Sequence, residues 1–184
     1  MTIVAGLKTS KGTFIGADSF AGTANSFALL QPYGKLLRLT SQLVVGLAGS
    51  PICTQVLRTV TLSPQYQDQS DEQYLQMFFG DTFRKALRAA GALKVVDEQQ
   101  RMASTELVIG YKTELYKLDS NFFLLKAESS YAITGAGYSW AEGVLDVLPV
   151  SLSPTKRLLR AMEVAGNHSP WVRGPFYVMP VMQS

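Results

Sequence analysis

Thr2-Ile3-Val4-Ala5-Gly6-Leu7-Lys8, then Ser10-Lys11-Gly12, then Thr13 through Ala17 to Asp18 decide how this chain is read. Two apolar runs flank a short glycine-containing turn, the pattern of a β-hairpin. The first strand starts at the second residue, and the second ends on a carboxylate. A hairpin brings those two ends together, so Asp18 is expected to return close to Thr2.

Working outward, residues 18 to 34 turn to Ala, Gly, Ser, Asn and Pro, which predicts loop with room for one short strand. Leu36 to Leu39 and Gln42 to Leu47 form a second hairpin around Thr40-Ser41. Helix signals follow. Ser50-Pro51 reads as an N-cap with proline at the first helical position, with Ile52, Val56 and Val60 on one face. Ser70 to Gln73 has capping-box spacing, and Leu75, Phe78, Phe79, Phe83, Ala86 and Leu87 recur at helical spacing until Gly91. The polar stretch from Lys94 to Ser104 predicts a loop. Strands are expected at Leu107–Tyr111, Glu114–Leu118, Phe122–Lys126 and Tyr131–Thr134. A capping box at Ser139–Glu142 opens a helix to about Leu148, Ser153-Pro154 opens another, and Phe176 to Val181 is a last strand. Strands grouped before helices argue α+β with antiparallel sheets. Two sheets that each need a cover predict four layers: helices, sheet, sheet, helices.

Composition narrows the function. The 184 residues fit one domain over 1–184. Charged residues are 17%, low for a soluble chain, and apolar residues are 47%, which together point to surface covered by partners. The single cysteine, Cys53, excludes an internal disulfide framework and a cysteine-rich zinc site. It lies near a helix start, where a thiolate gains stability, but a buried helical face accounts for it better. The one histidine, His168, follows Gly-Asn and precedes Ser-Pro, and reads as a surface residue. A net charge of +3 with no Lys/Arg cluster gives no case for nucleic acid. No apolar run reaches 18 residues and no signal peptide is recognisable, so no membrane span and a cytoplasmic location are expected.

Ordinary nucleophile motifs are absent: there is no G-x-S-x-G, no Walker loop and no H-E-x-x-H. One arrangement remains. Methionine removal before a small residue makes Thr2 the first residue, with hydroxyl and α-amine on one side-chain–backbone unit. An α-amine has a pKa of about 7.7–8.0, so near neutrality it takes the hydroxyl proton. Threonine at position 2 is also common without any such role. Lys35 opens the third strand; a Lys beside a Thr hydroxyl lowers the hydroxyl pKa, and an Asp beside the Lys keeps it charged and oriented. Gly46 in Val44-Val45-Gly46-Leu47-Ala48-Gly49 lets backbone approach a substrate and offers an oxyanion N–H. Each has a plainer account: Asp18 as turn residue, Lys35 as surface charge, Gly46 as a bulge.

Taken together, Thr2–Leu7, Ile15-Gly16-Ala17-Asp18-Ser19, Gly34-Lys35-Leu36-Leu37-Arg38-Leu39 and Val45–Gly49 resemble proteasome β-type subunits and their bacterial relatives, which are N-terminal nucleophile (Ntn) hydrolases. Thr105–Gly110 and Ala132–Gly137 match in order and spacing. The resemblance implies an αββα sandwich and a threonine endopeptidase. It implies Thr2 as nucleophile, Lys35 and Asp18 as its activating pair, Gly46 as oxyanion donor, and Ala21, Val44 and Ala48 around an apolar pocket. It further implies no cofactor and no metal. The partners it implies are peptide or unfolded-protein substrates, a homo-oligomeric ring of six or seven subunits, single or stacked, and an ATP-dependent unfoldase. Three positions depart from the pattern. Phe20 stands where the family has Arg, Ala136 stands where it has Ser in Gly-Ser-Gly, and no Asp lies near His168-Ser169. Those departures leave two alternatives in view, an inactive assembly subunit of the same fold and a small-molecule amide hydrolase.

Overall fold

The computed structural model describes residues 2–22, 27–29, 33–96 and 99–182. The opening hairpin is β1 (Ile3–Thr9) and β2 (Gly12–Asp18), with Val4 opposite Ala17 and Thr9 opposite Gly12. Among the described residues, strands β3 (Phe20–Gly22) and β4 (Phe27–Leu29) pair only with each other. Residues 23–26 and 30–32 of the expected loop lie outside the described residues. Then come β5 (Leu36–Thr40), β6 (Leu43–Ala48), α1 (Pro51–Thr59) and α2 (Asp71–Met77). A π-helical turn over Phe78–Phe83 joins α2 to α3 (Arg84–Ala89). The remaining elements are β7 (Leu93–Val96), β8 (Gln99–Met102), β9 (Glu106–Tyr111), β10 (Glu114–Leu118), β11 (Leu124–Lys126), β12 (Tyr131–Gly135), α4 (Tyr138–Val147), α5 (Pro154–His168) and β13 (Phe176–Pro180).

Two antiparallel sheets result, one ordered β12-β1-β2-β13 and the other β11-β10-β9-β6-β5. Alternation along β1 explains how they stack, since neighbouring side chains on a strand point to opposite faces. Ile3, Ala5 and Leu7 share a core with Leu145, Leu158, Ala161 and Met162 of α4 and α5. Val4, on the other face, joins Ile15, Leu36, Val44, Val108 and Leu115 between the two sheets. A third core sets Leu43, Val45, Leu47, Leu107 and Ile109 against Cys53 and Leu57 of α1 and Leu75, Phe79, Phe83 and Leu87 of α2–α3. Three cores define four layers, the αββα sandwich expected from the element order.

Glycine sets the spacing between the sheets. A Cβ on Gly6 would lie 2.7 Å from Leu115 Cδ2 and 2.9 Å from Val108 Cγ1, and one on Gly46 would collide with Val4 Cγ1. The absent side chains let β1 lie close over β9 and β6.

Three local expectations need correction. Residues 94–104 were expected as loop, but β7 and β8 form a hairpin there, with Leu93 opposite Met102. Residues 97–98 lie outside the described residues. Among the described residues the hairpin pairs only with itself, and it exposes Lys94, Val95 and Val96, so beyond Leu93 and Met102 little burial imposes alternation. Helix α4 is not capped by Ser139. Its N-cap is Gly137, whose φ of 81° is a left-handed conformation that glycine adopts without strain. The helix from Ser70 to Gly91 is interrupted by the π-helical turn, although its capping box at Ser70 and Gln73 forms as read.

Candidate active site

Thr2 sits at the mouth of the sandwich, immediately before β1, and it is buried. Its backbone carbonyl accepts a hydrogen bond from the Ala136 N–H at 2.6 Å, just past the end of β12. Asp18, the last residue of β2, comes back beside it. The Ile3 N–H donates to Asp18 Oδ1 at 3.1 Å, and the Thr2 hydroxyl donates to the same oxygen. The other carboxylate oxygen accepts from the Arg173 N–H at 3.4 Å.

Lys35 completes the group. It ends the turn that begins at Tyr33, whose φ of 59° swings the chain back toward β5. Its Nζ donates to the Thr2 hydroxyl, to the Phe20 carbonyl, and to Asp18 Oδ1 at 2.7 Å. Those acceptors match the three donors of an ammonium. The Lys35 side chain is 9% exposed and that of Asp18 is 0% exposed, so the ion pair is buried. Burial pushes the Lys35 pKa down, and the Asp18 carboxylate pulls it part of the way back by its charge and its hydrogen bond. The net direction is below the ordinary lysine value of 10.5.

A cavity of about 850 Å³ opens beside Thr2. Ala48, Gly49, Ser50, Thr105, Gly135 and Ala136 are among its walls, with Glu106 and Lys117 as its charged residues. The Thr134 hydroxyl donates to Glu106 Oε2. Gly49 has φ 142°, directly after β6. The Ser50 N–H then donates to the Thr105 hydroxyl at 2.9 Å, and that hydroxyl donates to the Ala103 carbonyl at 2.9 Å. Burial raises the pKa of the Cys53 thiol, and its hydrogen bond with Thr105 lowers it in part. Cys53 is buried in the core of α1 and stands outside this cavity. His168 is exposed and stacks on Trp140, with ring centroids 4.2 Å apart.

The structure therefore gathers Thr2, Asp18, Lys35 and Ala48, and it leaves three expected residues elsewhere. Gly46 lies inside β6, opposite Leu36 of β5 and Val108 of β9. Strand N–H groups alternate between neighbours, and the Leu47 N–H goes to the Lys35 carbonyl, so that of Gly46 turns toward β9. Gly46 is not part of the cavity wall. Val44 is fully buried between the sheets. Ala21 is in β3, opposite Ala28, next to the carbonyl that holds Lys35. Gly49 and Thr105 were not singled out from the sequence; the available signal was a glycine immediately before a Ser-Pro helix start. Among the described residues, no group of three or more His, Cys, Asp or Glu side chains is placed to hold a metal ion.

No protein-family model matches the chain, and no curated protein matches it. Solved structures do. BPH from Thiobacillus denitrificans superposes with a TM-score of 0.79 at 16% identity, over 100% of both chains. Its complex with epoxomicin gives 0.77 at 14%, over 99% of this chain and 100% of that one. HslV from Trypanosoma brucei gives 0.69 at 16%, over 97% and 98%. Anbu, described as an ancestral β-subunit, from Yersinia bercovieri gives 0.72 at 16%, over 97% of this chain and 80% of its own. The fold is that of the proteasome-like Ntn hydrolases.

Proposed function

We propose that this chain is a threonine endopeptidase in which Thr2, once it is the first residue, is the nucleophile. The observation that carries the reading is the buried contact of the Thr2 hydroxyl with both Lys35 Nζ and Asp18 Oδ1 at the edge of a cavity. A threonine serving only as packing has no need of a buried ammonium, which is costly to desolvate.

The chemistry is acyl transfer. The α-amine of Thr2 takes the hydroxyl proton, and Oγ1 attacks the peptide carbonyl carbon. The Lys35 ammonium stabilises negative charge building on Oγ1, and Asp18 holds Lys35 in place. The carbonyl oxygen becomes an oxyanion facing the Gly49 N–H, beside the N-terminus of α1, whose dipole favours negative charge. The proton passes from the amine to the leaving nitrogen as the C–N bond breaks. Water then attacks the ester and restores the hydroxyl. Gly49 takes the role first expected of Gly46 because Gly49 borders the cavity and Gly46 does not. Ala48 supplies an apolar wall; no residue in the cavity is a cofactor ligand in this scheme.

The same reading makes the chain a subunit of a homo-oligomeric ring that encloses its sites and admits peptides or unfolded protein, with an ATP-dependent unfoldase as a partner class, in the cytoplasm. Its support is the exposed apolar surface: Val147 is 79% exposed and Val150 85% at the end of α4, and Phe123 is 60% exposed beside β11. Among the described residues no helix is long and apolar enough to cross a membrane.

Turnover of fluorogenic peptides by protein beginning at Thr2 tests the function, with Thr2→Ala as the control. Cleavage of small amides without cleavage of peptides would favour the amidase alternative. Turnover retained in Thr2→Ala would overturn the nucleophile assignment.

A further inference from the structure

We infer that Thr105 is a positioning residue for the turn that carries the oxyanion donor; this rests on the peptidase reading above. The pairing of β6 with β9 ends at Ala48 opposite Glu106. Gly49 and Ser50 therefore lie beyond the last rung of that ladder, where strand hydrogen bonds no longer hold them. The Thr105 side chain takes over. It is fully buried, and its hydroxyl accepts the Ser50 N–H at 2.9 Å while donating to the Ala103 carbonyl at 2.9 Å. One hydroxyl thus joins the start of α1 to the segment entering β9.

Contact with Gly49 is equally close. A Cβ there would lie 2.5 Å from both Thr105 Cα and Thr105 Oγ1, and would collide with the Ser104 carbonyl. Gly49 is pressed flat on Thr105 with its backbone at the cavity. Its N–H direction is set by this contact and by the tether one residue later. Losing the hydroxyl leaves a half-buried N–H without its partner, and it gains by turning toward water. Gly49 moves with it, and an oxyanion donor works only while aimed at the charge. Thr105 does not touch the reacting atoms in this scheme, so its effect falls on the rate of acylation and not on substrate capture.

Thr105→Val keeps the shape and removes the hydroxyl; Thr105→Ser keeps the hydroxyl and loses a methyl. Removing an oxyanion donor outright costs about 10²–10³ in kcat, so mis-aiming one is expected to cost on the order of tenfold to a hundredfold. In protein beginning at Thr2, Thr105→Val should lower kcat for a fluorogenic peptide by that factor with KM within about twofold, and Thr105→Ser should stay near wild type. A second readout does not depend on activity: hydrogen exchange of the Ser50 amide should be faster in Thr105→Val and near normal in Thr105→Ser, with melting followed in both.

Wild-type kcat in Thr105→Val overturns the proposal, whatever the exchange rate. Equal losses in the valine and serine variants also overturn it, because packing and not the hydroxyl would then matter. A wild type that never acylates, with Ser50 exchange still accelerated in Thr105→Val, is a failure of the peptidase reading and supports the tether itself.

Discussion

Lys35 concentrates the chemistry at the scale of single residues. It is buried, its pKa lies below 10.5, and its charge faces both the Thr2 hydroxyl and Asp18. The proposed mechanism needs the Thr2 amine unprotonated and Lys35 protonated, so the pH–rate profile should be bell-shaped. Its rising limb belongs to the Thr2 amine. Its falling limb belongs to Lys35 and should lie below 10.5, because a lowered pKa means the charge is lost at lower pH. Asp18 raises the Lys35 pKa, so Asp18→Asn should move the falling limb further down; a limb that stays in place would contradict the assignment. Lys35→Arg should not restore the rate, since a planar guanidinium cannot replace a compact ammonium at three close acceptors. Lys35→Met leaves Asp18 buried without its cation and should also cost about 3–5 kcal/mol in stability, read by denaturant unfolding. Ala136→Ser addresses the missing hydroxyl. Ala136 donates its N–H to the Thr2 carbonyl and lines the cavity, so a hydroxyl there has the nucleophile's backbone in reach. One hydrogen bond gained, about 0.5–1.5 kcal/mol, is roughly a two- to tenfold faster acylation if it acts in the transition state. Slower acylation with a lower melting temperature would mean that the serine does not fit against the neighbouring apolar core.

At the scale of elements, glycine in the facing sheets is the most direct handle. Gly46→Ala should destabilise the fold by about 1–3 kcal/mol, measured by denaturant unfolding, because its methyl would press on Val4 Cγ1 and lie 3.1 Å from Ile15 Cγ2. An unchanged midpoint would show that the sheets are not in close contact there. This same position shows what a sequence hides. Thr2 and Asp18 could be placed together because each stands at the end of a strand and the β1–β2 hairpin fixes that those ends meet; no hairpin joins β5 to β1, so Lys35 was legible only through the family resemblance. Gly46 and Gly49 are three residues apart in one motif, and only the point where β6 leaves its ladder decides which backbone meets the cavity. Val44 was assigned to the pocket from motif position alone, but alternation along β6 turns it between the sheets. Strands with a buried face were legible, since apolar alternation records the face. The β7–β8 hairpin was not, because its exposed residues carry no such record. The start of α4 was missed for a similar reason: a left-handed glycine and a serine three residues from a glutamate are both start signals, and the tight turn after β12 selects the glycine.

For the whole molecule, three cores stack four layers and leave the site open at one end, in the proteasome-like Ntn-hydrolase fold. The αββα order was legible because each sheet had helices next in sequence to cover it. Assembly was not, since exposed apolar side chains such as Val147 and Val150 do not say what packs on them. If the chain forms a ring, native mass spectrometry should give a single closed multimer at micromolar concentration. A monomer under those conditions would contradict the ring. The central claim, that Thr2 is a nucleophile, meets its most direct test in the intact mass of the purified protein before and after a peptide epoxyketone. The account predicts a chain that begins at Thr2 and gains one inhibitor mass, with fragmentation placing it on Thr2 and with no gain in Thr2→Ala. A chain that begins at Thr2 and gains nothing, or that carries the label on another residue, would contradict it.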